Sequence, residues 1–138
     1  METNKQKRVV AGREVTLFIM TKNGFKKVAG QEYTEVLREA ELLNVGTKDD
    51  NGRAVYIPIS IDYLVNCRGF YVAHDEAFET VESAFDALSA IEVMVQVGDL
   101  FCYRGTMAVE EVPLTFDNKE AEMEIKLVGT LTKEQMGE

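Results

Sequence analysis

The chain has 138 residues, of which 46% are hydrophobic and 28% charged, and its 24 acidic and 15 basic residues give a net charge of −9. This length is enough for one domain (1–138) with a substantial core. The acidic balance disfavours binding to nucleic-acid phosphates or to an anionic membrane, because both need clustered Lys and Arg. No apolar run approaches the roughly 20 residues of a spanning helix, and residues 1–8 lead into no sustained apolar run, so we expect no signal peptide.

The first third of the sequence predicts an N-terminal arm followed by strands. Residues 1–14 show no clear periodicity and are expected to form the arm, which includes Arg13. Residues 15–20 are almost continuously apolar, which is typical of a buried strand, and Lys22-Asn23-Gly24 then predicts a turn. Residues 33–45 are ambiguous, because they have helix propensity. We favour a strand here because the neighbouring extended segments need partners.

The middle of the chain predicts a long loop, a long strand and one helix. Residues 46–52 are polar and rich in turn residues and are expected to project as a loop. Residues 54–67 alternate with period two, which indicates a strand with one apolar face. That face carries Ile57, Ile59, Ile61, Tyr63, Val65 and Cys67.

The helix is predicted at about 75–88, where the apolar spacing changes to three and four residues. Its apolar stripe comprises Phe78, Val81, Phe85 and Leu88, and its outward side carries Glu76, Glu79, Glu82 and Asp86. A solvated helix face is the expected role of these acids.

The last third predicts more strands. Residues 91–97 and 100–109 are expected to pair across Gly98-Asp99. Pro113 begins a short edge-like piece, Met123, Ile125 and Leu127 mark a last strand, and residues 132–138 are a polar tail. About seven strands and one helix predict a mainly β (α+β) fold, either a β-sandwich or a partly open barrel with one flanking helix.

The search for catalytic residues centres on the single histidine, His74. A catalytic hypothesis makes it a general base oriented by Asp75 or Glu76. The favoured interpretation places it at a helix terminus beside an N-capping Asp75. No nucleophile elbow accompanies it, so no enzyme is predicted.

Metal and cofactor sites are not predicted either. Cys67 and Cys102 are expected to be buried free thiols, although a cross-strand disulfide is open if their strands are neighbours. The run from Asp49 to Gly52 is similar to a calcium loop, but its closing ligand position falls on Pro58, which cannot coordinate. Phosphate-binding glycine motifs are absent.

The order of several short motifs resembles the major tail tube proteins of long-tailed bacteriophages. The motifs are Val15-Thr16-Leu17-Phe18-Ile19, Val28-Ala29-Gly30-Gln31, Thr47-Lys48-Asp49, Asn66-Cys67-Arg68-Gly69-Phe70-Tyr71-Val72 and Ile125-Lys126-Leu127-Val128-Gly129-Thr130-Leu131. They span about 15–131. The family often has a Trp after the third motif, where this chain has Tyr56.

The resemblance implies a structural subunit that assembles into stacked hexameric rings, forming a conduit for DNA ejection. It implies contacts between copies at the N-terminal arm, the loop 44–58 and the C-terminal tail. The candidate contact residues are Arg13, Val45, Thr47, Lys48, Asp49, Asp50, Asn51, Arg53, Tyr56 and Leu131. Other tail proteins (tape measure, tail terminator, baseplate or tip) are the implied partners, in a virion tail assembled in the bacterial host cytoplasm. DNA is expected to cross the lumen without specific binding, and neither a membrane nor a cofactor is implied.

Three alternatives stay open. The same fold suits the inner tube of a contractile injection system that delivers proteins. A small β-barrel binding module would instead be monomeric and contain an apolar cavity. An enzyme using His74 would lose activity in His74→Ala.

Overall fold

Eight strands and one α-helix make up the fold in the computed structural model, which describes residues 9–46, 53–117 and 119–135. The strands are β1 (Val15–Thr21), β2 (Gly24–Lys27), β3 (Gln31–Asn44), β4 (Tyr56–Phe70), β5 (Ala90–Val97), β6 (Phe101–Glu111), β7 (Leu114–Thr115) and β8 (Glu122–Gln135). A 3-10 helix at Gly12–Glu14 precedes β1, and α1 spans Glu76–Ala87. The predicted mainly β class with one helix is confirmed.

All strands belong to one antiparallel sheet with the order β2-β1-β5-β6-β8-β4-β3, and β7 pairs with β8. The sheet is open because its end strands, β2 and β3, do not pair with each other. It nevertheless curls, since β1 contacts the start of β3 through the Gln31 side chain. Of the two predicted architectures, the partly open barrel describes this single curled sheet better than two stacked sheets.

The core lies between the inner face of this sheet and α1. Its members come from β1, β4, β5, β6, β8 and the helix: Leu17, Ile19, Val65, Cys67, Val93, Val95, Met107, Ile125, Leu127, Phe78 and Val81. Burying an aliphatic side chain of this size contributes about 2 kcal/mol. The opposite face of the sheet, which we call the helix-free face, carries the alternate residues of the same strands.

The helix begins and ends where its sequence predicts. The Asp75 side chain accepts a hydrogen bond from the Phe78 N–H and so caps the first turn, as predicted. Leu88 ends the helix in the left-handed conformation, with φ 55°. Among the described residues, no helix is long and apolar enough to cross a membrane.

The predicted apolar stripe of α1 is wrong in its second half. Phe78 and Val81 are buried, but Phe85 is 42% exposed and Leu88 is 94% exposed. The helix instead turns Ala77 and Ala84 to the sheet. The short alanine side chains let the helix approach the strands closely, which leaves its final turn extending past the core.

Several predicted boundaries also change. The segment predicted at 33–45 forms a strand as far as residue 44, as favoured, since β3 pairs with β4 up to Asn44 opposite Tyr56. The loop predicted at 44–58 is therefore shorter, because Asn44 and Tyr56 to Pro58 belong to strands. The tail predicted at 132–138 is wrong for residues 132–135, which continue β8 and pair with β6. The N-terminal arm predicted at 1–14 ends in an ordered 3-10 turn.

The two cysteines are free thiols, as predicted. Cys67 lies on β4 and Cys102 on β6, and β8 separates these strands in the sheet. The disulfide that adjacent strands would have allowed is therefore ruled out by the strand order.

Candidate assembly surfaces

A two-stranded arm projects from the sheet. β4 pairs with β8 only from Tyr63 to Phe70, whereas its pairing with β3 continues to Tyr56. Residues 39–44 of β3 and 56–62 of β4 thus form a ribbon with no third strand. We call this ribbon the arm, and we keep the name N-terminal arm for the segment predicted at 1–14. A two-stranded hairpin surrounded by water leaves most of its surface exposed and is only marginally stable by itself.

Both strands of the arm expose large apolar side chains. Leu42, Leu43, Tyr56, Ile57, Ile59 and Ile61 are each between 47% and 57% exposed. A register shift between Glu41 and Leu42 leaves Ile59 without a cross-strand partner, which makes it a bulge residue that twists the arm locally. Six such side chains in one ribbon exceed the scattered exposure of an ordinary surface.

The ten candidate contact residues do not share one location. Val45, Arg53 and Tyr56 lie at the outer end of the arm, where the Val45 N–H donates to the Val55 carbonyl. Arg13 is exposed on the 3-10 helix. Thr47, Lys48, Asp49, Asp50 and Asn51 lie outside the described residues.

The position of Leu131 contradicts its prediction as a contact residue. Its side chain is only 4% exposed and belongs to the core, where it lies opposite Gly105 of β6. It therefore stabilises the subunit and is not available for contact with another copy.

A groove lies at the other end of the same strand pair, on the helix-free face. It has a volume of about 540 Å³, and we call it the β4–β8 groove. Its lining residues include Glu32, Tyr33, Arg68, Phe70, Pro113, Glu122, Met123 and Glu124. Tyr33, Arg68 and Glu124 stand opposite one another across β3, β4 and β8.

One side of the groove is held by a cation–π contact. The Arg68 guanidinium carbon lies 4.7 Å from the centre of the Tyr33 ring. Arg68 thus rests on the aromatic ring. Glu32 and Glu122 have no ion pair with any residue in the described part of the chain, so their charges are not neutralised by a neighbouring cation. The groove is consequently acidic, with apolar residues at its edge.

The Ala29-Gly30-Gln31 motif joins the two ends of the curled sheet. The Gln31 side-chain amide accepts from the Leu17 N–H at 2.9 Å and donates to the Leu17 carbonyl at 3.0 Å. It also donates to the Val28 carbonyl and accepts from the Thr34 hydroxyl. The amide therefore makes the hydrogen bonds that a neighbouring strand would make, at a place where β1 and β3 do not pair through their backbones.

Gly30 and Gly69 come into close backbone contact next to Gln31. The Gly30 carbonyl accepts from the Phe70 N–H at 2.9 Å, and Gly30 has φ 78°. A Cβ on Gly69 would overlap the Gly30 carbonyl oxygen. Only glycine allows this approach of β4 to the turn before β3, which explains both glycines of the two motifs.

The carboxylates beside His74 are already engaged. Asp75 Oδ2 accepts from the Ala29 N–H as well as from Phe78, so it ties the helix to the turn before β3. The Glu76 carboxylate accepts from the Asn23 side chain at 2.6 Å. His74 itself is exposed, with φ 63°. This geometry gives no support to the hypothesis of a base oriented by Asp75 or Glu76.

Two surfaces were missed by the sequence patterns. Phe85 and Leu88 form an exposed apolar end of α1, although their spacing predicts core positions. The groove combines residues from β3, β4, β7 and β8, so no local motif signals it. Among the described residues, no cluster of three or more His, Cys, Asp and Glu side chains has the geometry to hold a metal ion.

The curled antiparallel sheet and the exposed apolar arm are typical of a subunit that associates with other copies. Residues 9–133 match the family described as phage tail tube protein. The chain therefore belongs to the phage tail tube protein family, and its role is that of a tail tube subunit. No curated protein sequence gives a significant match.

Solved structures share the fold at low sequence identity. A chain from the tail of an empty gene transfer agent particle, solved with C6 symmetry, is 16% identical with a TM-score of 0.78, and the match covers 90% of this chain and 98% of the other. The SPP1 tail tube is 13% identical, with a TM-score of 0.74 and coverage of 94% and 80%. A chain of the anti-feeding prophage baseplate is 8% identical, with a TM-score of 0.71 and coverage of 94% and 97%.

Proposed function

We propose that this protein assembles into hexameric rings that stack into a hollow tail tube, and that the arm makes contacts between copies. The observation that carries the proposal is the row of half-exposed apolar side chains on an arm that has left the sheet. Burying this row against another copy would remove a large apolar area from water, which favours association. The family membership and the C6 symmetry of a similar tail support the ring.

Contacts of the arm are proposed for Val45, Arg53 and Tyr56, and Arg13 provides a second site near the N-terminus. Thr47 to Asn51 remain part of the proposal as the connection between the strands of the arm. The exposed apolar end of α1, formed by Phe85 and Leu88, is added as a third surface.

DNA would pass through the tube without specific binding. The net charge of −9 repels phosphates. On the helix-free face of β4, β5, β6 and β8, the described cations are already engaged: Arg104 binds Glu92 at 3.4 Å, Lys126 binds Glu111 at 3.0 Å and Arg68 rests on Tyr33. We propose that β5 and β6 line the lumen with this face, which leaves the β4–β8 groove for contacts between copies. A reconstructed tube with a strongly basic lumen would contradict this part.

The proposed partners are those of a tail: the tape measure, the tail terminator and the baseplate or tip, in a virion assembled in the host cytoplasm. The subunit is proposed to have no catalytic role, because Asp75 and Glu76 are occupied in the fold. Similarity to the anti-feeding prophage chain keeps the inner tube of a contractile injection system as the second candidate. The genes next to this one would distinguish the two.

The test is electron microscopy of the purified protein at raised concentration and salt. We expect rings and tubes with six-fold symmetry and a central channel. Ile59→Asp should prevent tube formation, whereas Ile59→Val keeps an apolar side chain and should assemble like the parent. A protein that stays monomeric under all these conditions would contradict the proposal, as would normal assembly by Ile59→Asp.

A further inference from the structure

We propose that the arm of one copy docks in the β4–β8 groove of a second copy, so that each subunit contacts the next head to tail. This inference rests on the proposed function, because it names the acceptor surface within the tube. The occupant of the groove is another copy of this chain. The residues that carry the inference are those of the groove and the described end of the arm.

The two surfaces lie at opposite ends of the same strand pair. The arm ends where Asn44 pairs with Tyr56, and the groove begins where Tyr33 pairs with Arg68. Eleven residue steps along β3 separate Tyr33 from Asn44, which corresponds to about 37 Å at the rise of an antiparallel strand. One copy therefore presents a donor and an acceptor at its two ends, and copies linked in this way form a repeating chain.

Charge favours this pairing. Arg53 is exposed next to the end of the arm and has no ion pair with any described residue. The groove offers the carboxylates of Glu32 and Glu122, which are likewise exposed and unpaired within the described chain. Complementary charges of this kind align partners and select the correct orientation.

Shape and polarity agree with charge. The arm extends beyond the last residue pair of β4 with β8 and carries Tyr56 and Ile57, both about half exposed. The groove is concave and is bordered by Phe70, Pro113 and Met123, and Phe70 is among the exposed large apolar residues. The acidic groove would therefore accept Arg53, and its apolar border would pack against Tyr56 and Ile57.

A donor and an acceptor on different surfaces make a heterologous contact, which extends into closed rings or open stacks. An isologous contact between two arms would stop at a dimer. The separation of the two surfaces therefore gives the assembly a direction, since every arm points the same way along the chain of contacts.

The experiment exchanges the charges. Arg53→Glu alters the arm, and Glu32→Arg with Glu122→Arg alters the groove; all three side chains are exposed, so the fold should persist, which urea unfolding of each variant verifies. The critical concentration for tube formation is then measured by sedimentation. We expect each altered surface to raise it about tenfold or more, as loss of a central contact does, and the chain with all three substitutions to return close to the parent.

The control is a chain that combines Arg53→Glu with Glu79→Arg and Glu82→Arg on α1. It has the same net charge as the exchanged chain but leaves the groove unchanged, so it should stay defective. Equal recovery in the control would overturn the inference, because net charge would then explain the effect. Unimpaired assembly by either single-surface variant, in a parent that forms tubes, would overturn the inference while leaving the proposed function intact. A parent that never forms tubes would overturn both.

Discussion

The Gln31 side chain forms two reciprocal hydrogen bonds with the backbone of Leu17, at 2.9 Å to its N–H and 3.0 Å to its carbonyl. An amide side chain carries a donor and an acceptor side by side, as a backbone peptide group does. It closes the curled sheet between β1 and β3 while both strands keep their backbone partners elsewhere. The glutamine of the motif at 28–31 is thus explained by the closure of the fold.

Replacing this glutamine should destabilise the subunit. Gln31→Met keeps the length of the side chain but leaves the Leu17 N–H without its acceptor. Unsatisfied groups at partly buried positions cost about 1–3 kcal/mol, so we expect a loss of about 2 kcal/mol in the free energy of unfolding, measured with urea on the monomer. Gln96→Met removes a single bond to Gly98 within its own turn and should lose less than about 1 kcal/mol. Equal losses would contradict the proposed closure.

The crossing of Gly30 and Gly69 gives a second prediction. In Gly69→Ala the new Cβ would overlap the Gly30 carbonyl and come within 2.7 Å of the Gln31 Cα, both of them backbone atoms. Since neither strand can move without breaking its pairing, we expect a loss of at least about 3 kcal/mol, or no folded protein. Gly12→Ala is the matched control, because nothing lies within 4 Å of its Cβ, and it should change stability by less than about 0.5 kcal/mol. A folded, fully stable Gly69→Ala would show that the crossing can relax.

Local patterns predict the elements of this protein better than they predict what covers them. The alternation at 57–67 correctly places Tyr63, Val65 and Cys67 on one face of β4, but Ile57, Ile59 and Ile61 continue that pattern beyond the last residue that pairs with β8. Periodicity records the polarity of a face and not its distance from the core.

The candidate surfaces depended on the same distinction. Leu131 directly precedes the predicted tail and proves to be core, while Leu88 is apolar in a predicted core stripe and proves to be exposed. The helix spacing fits both Phe85 and the smaller Ala84, and only packing against the sheet selects the alanine. The groove brings together residues from four strands, and strand order is a tertiary property that the sequence does not show.

The buried thiol of Cys67 gives a pH-dependent prediction. Burial raises the pKa of this thiol from 9.0 to about 11, although its hydrogen bond with the Thr34 hydroxyl opposes the shift. The unfolded chain therefore loses this proton first as pH rises, so the stability contributed by the neutral thiol is complete below pH 9 and is lost up to about pH 11. At pH 10 the expected loss is about 1.3 kcal/mol.

The measurement compares the free energy of unfolding at pH 8 and pH 10 for the parent and for Cys67→Ala. The difference between the two proteins should shrink by about 1.3 kcal/mol at the higher pH, because only the parent carries this group. Background changes from lysines and tyrosines cancel in the difference. A constant difference across this range would mean that the thiol is not shielded from water in the folded state.

Leu88 combines two unfavourable features, which suggests that its role lies in assembly. It is a large apolar side chain that is 94% exposed, and it holds the left-handed conformation at φ 55°, which costs a non-glycine residue about 1–2 kcal/mol. Leu88→Gly should therefore stabilise the monomer by about 1 kcal/mol, after allowance for the greater freedom of glycine in the unfolded chain. If Leu88 contacts another copy, the same change should raise the critical concentration for tube formation. His74→Gly is the matched control, because His74 has φ 63° and is also exposed. It should give a similar gain in stability with unchanged assembly, and a stabilised Leu88→Gly that still assembles normally would remove the end of α1 from the contact surface.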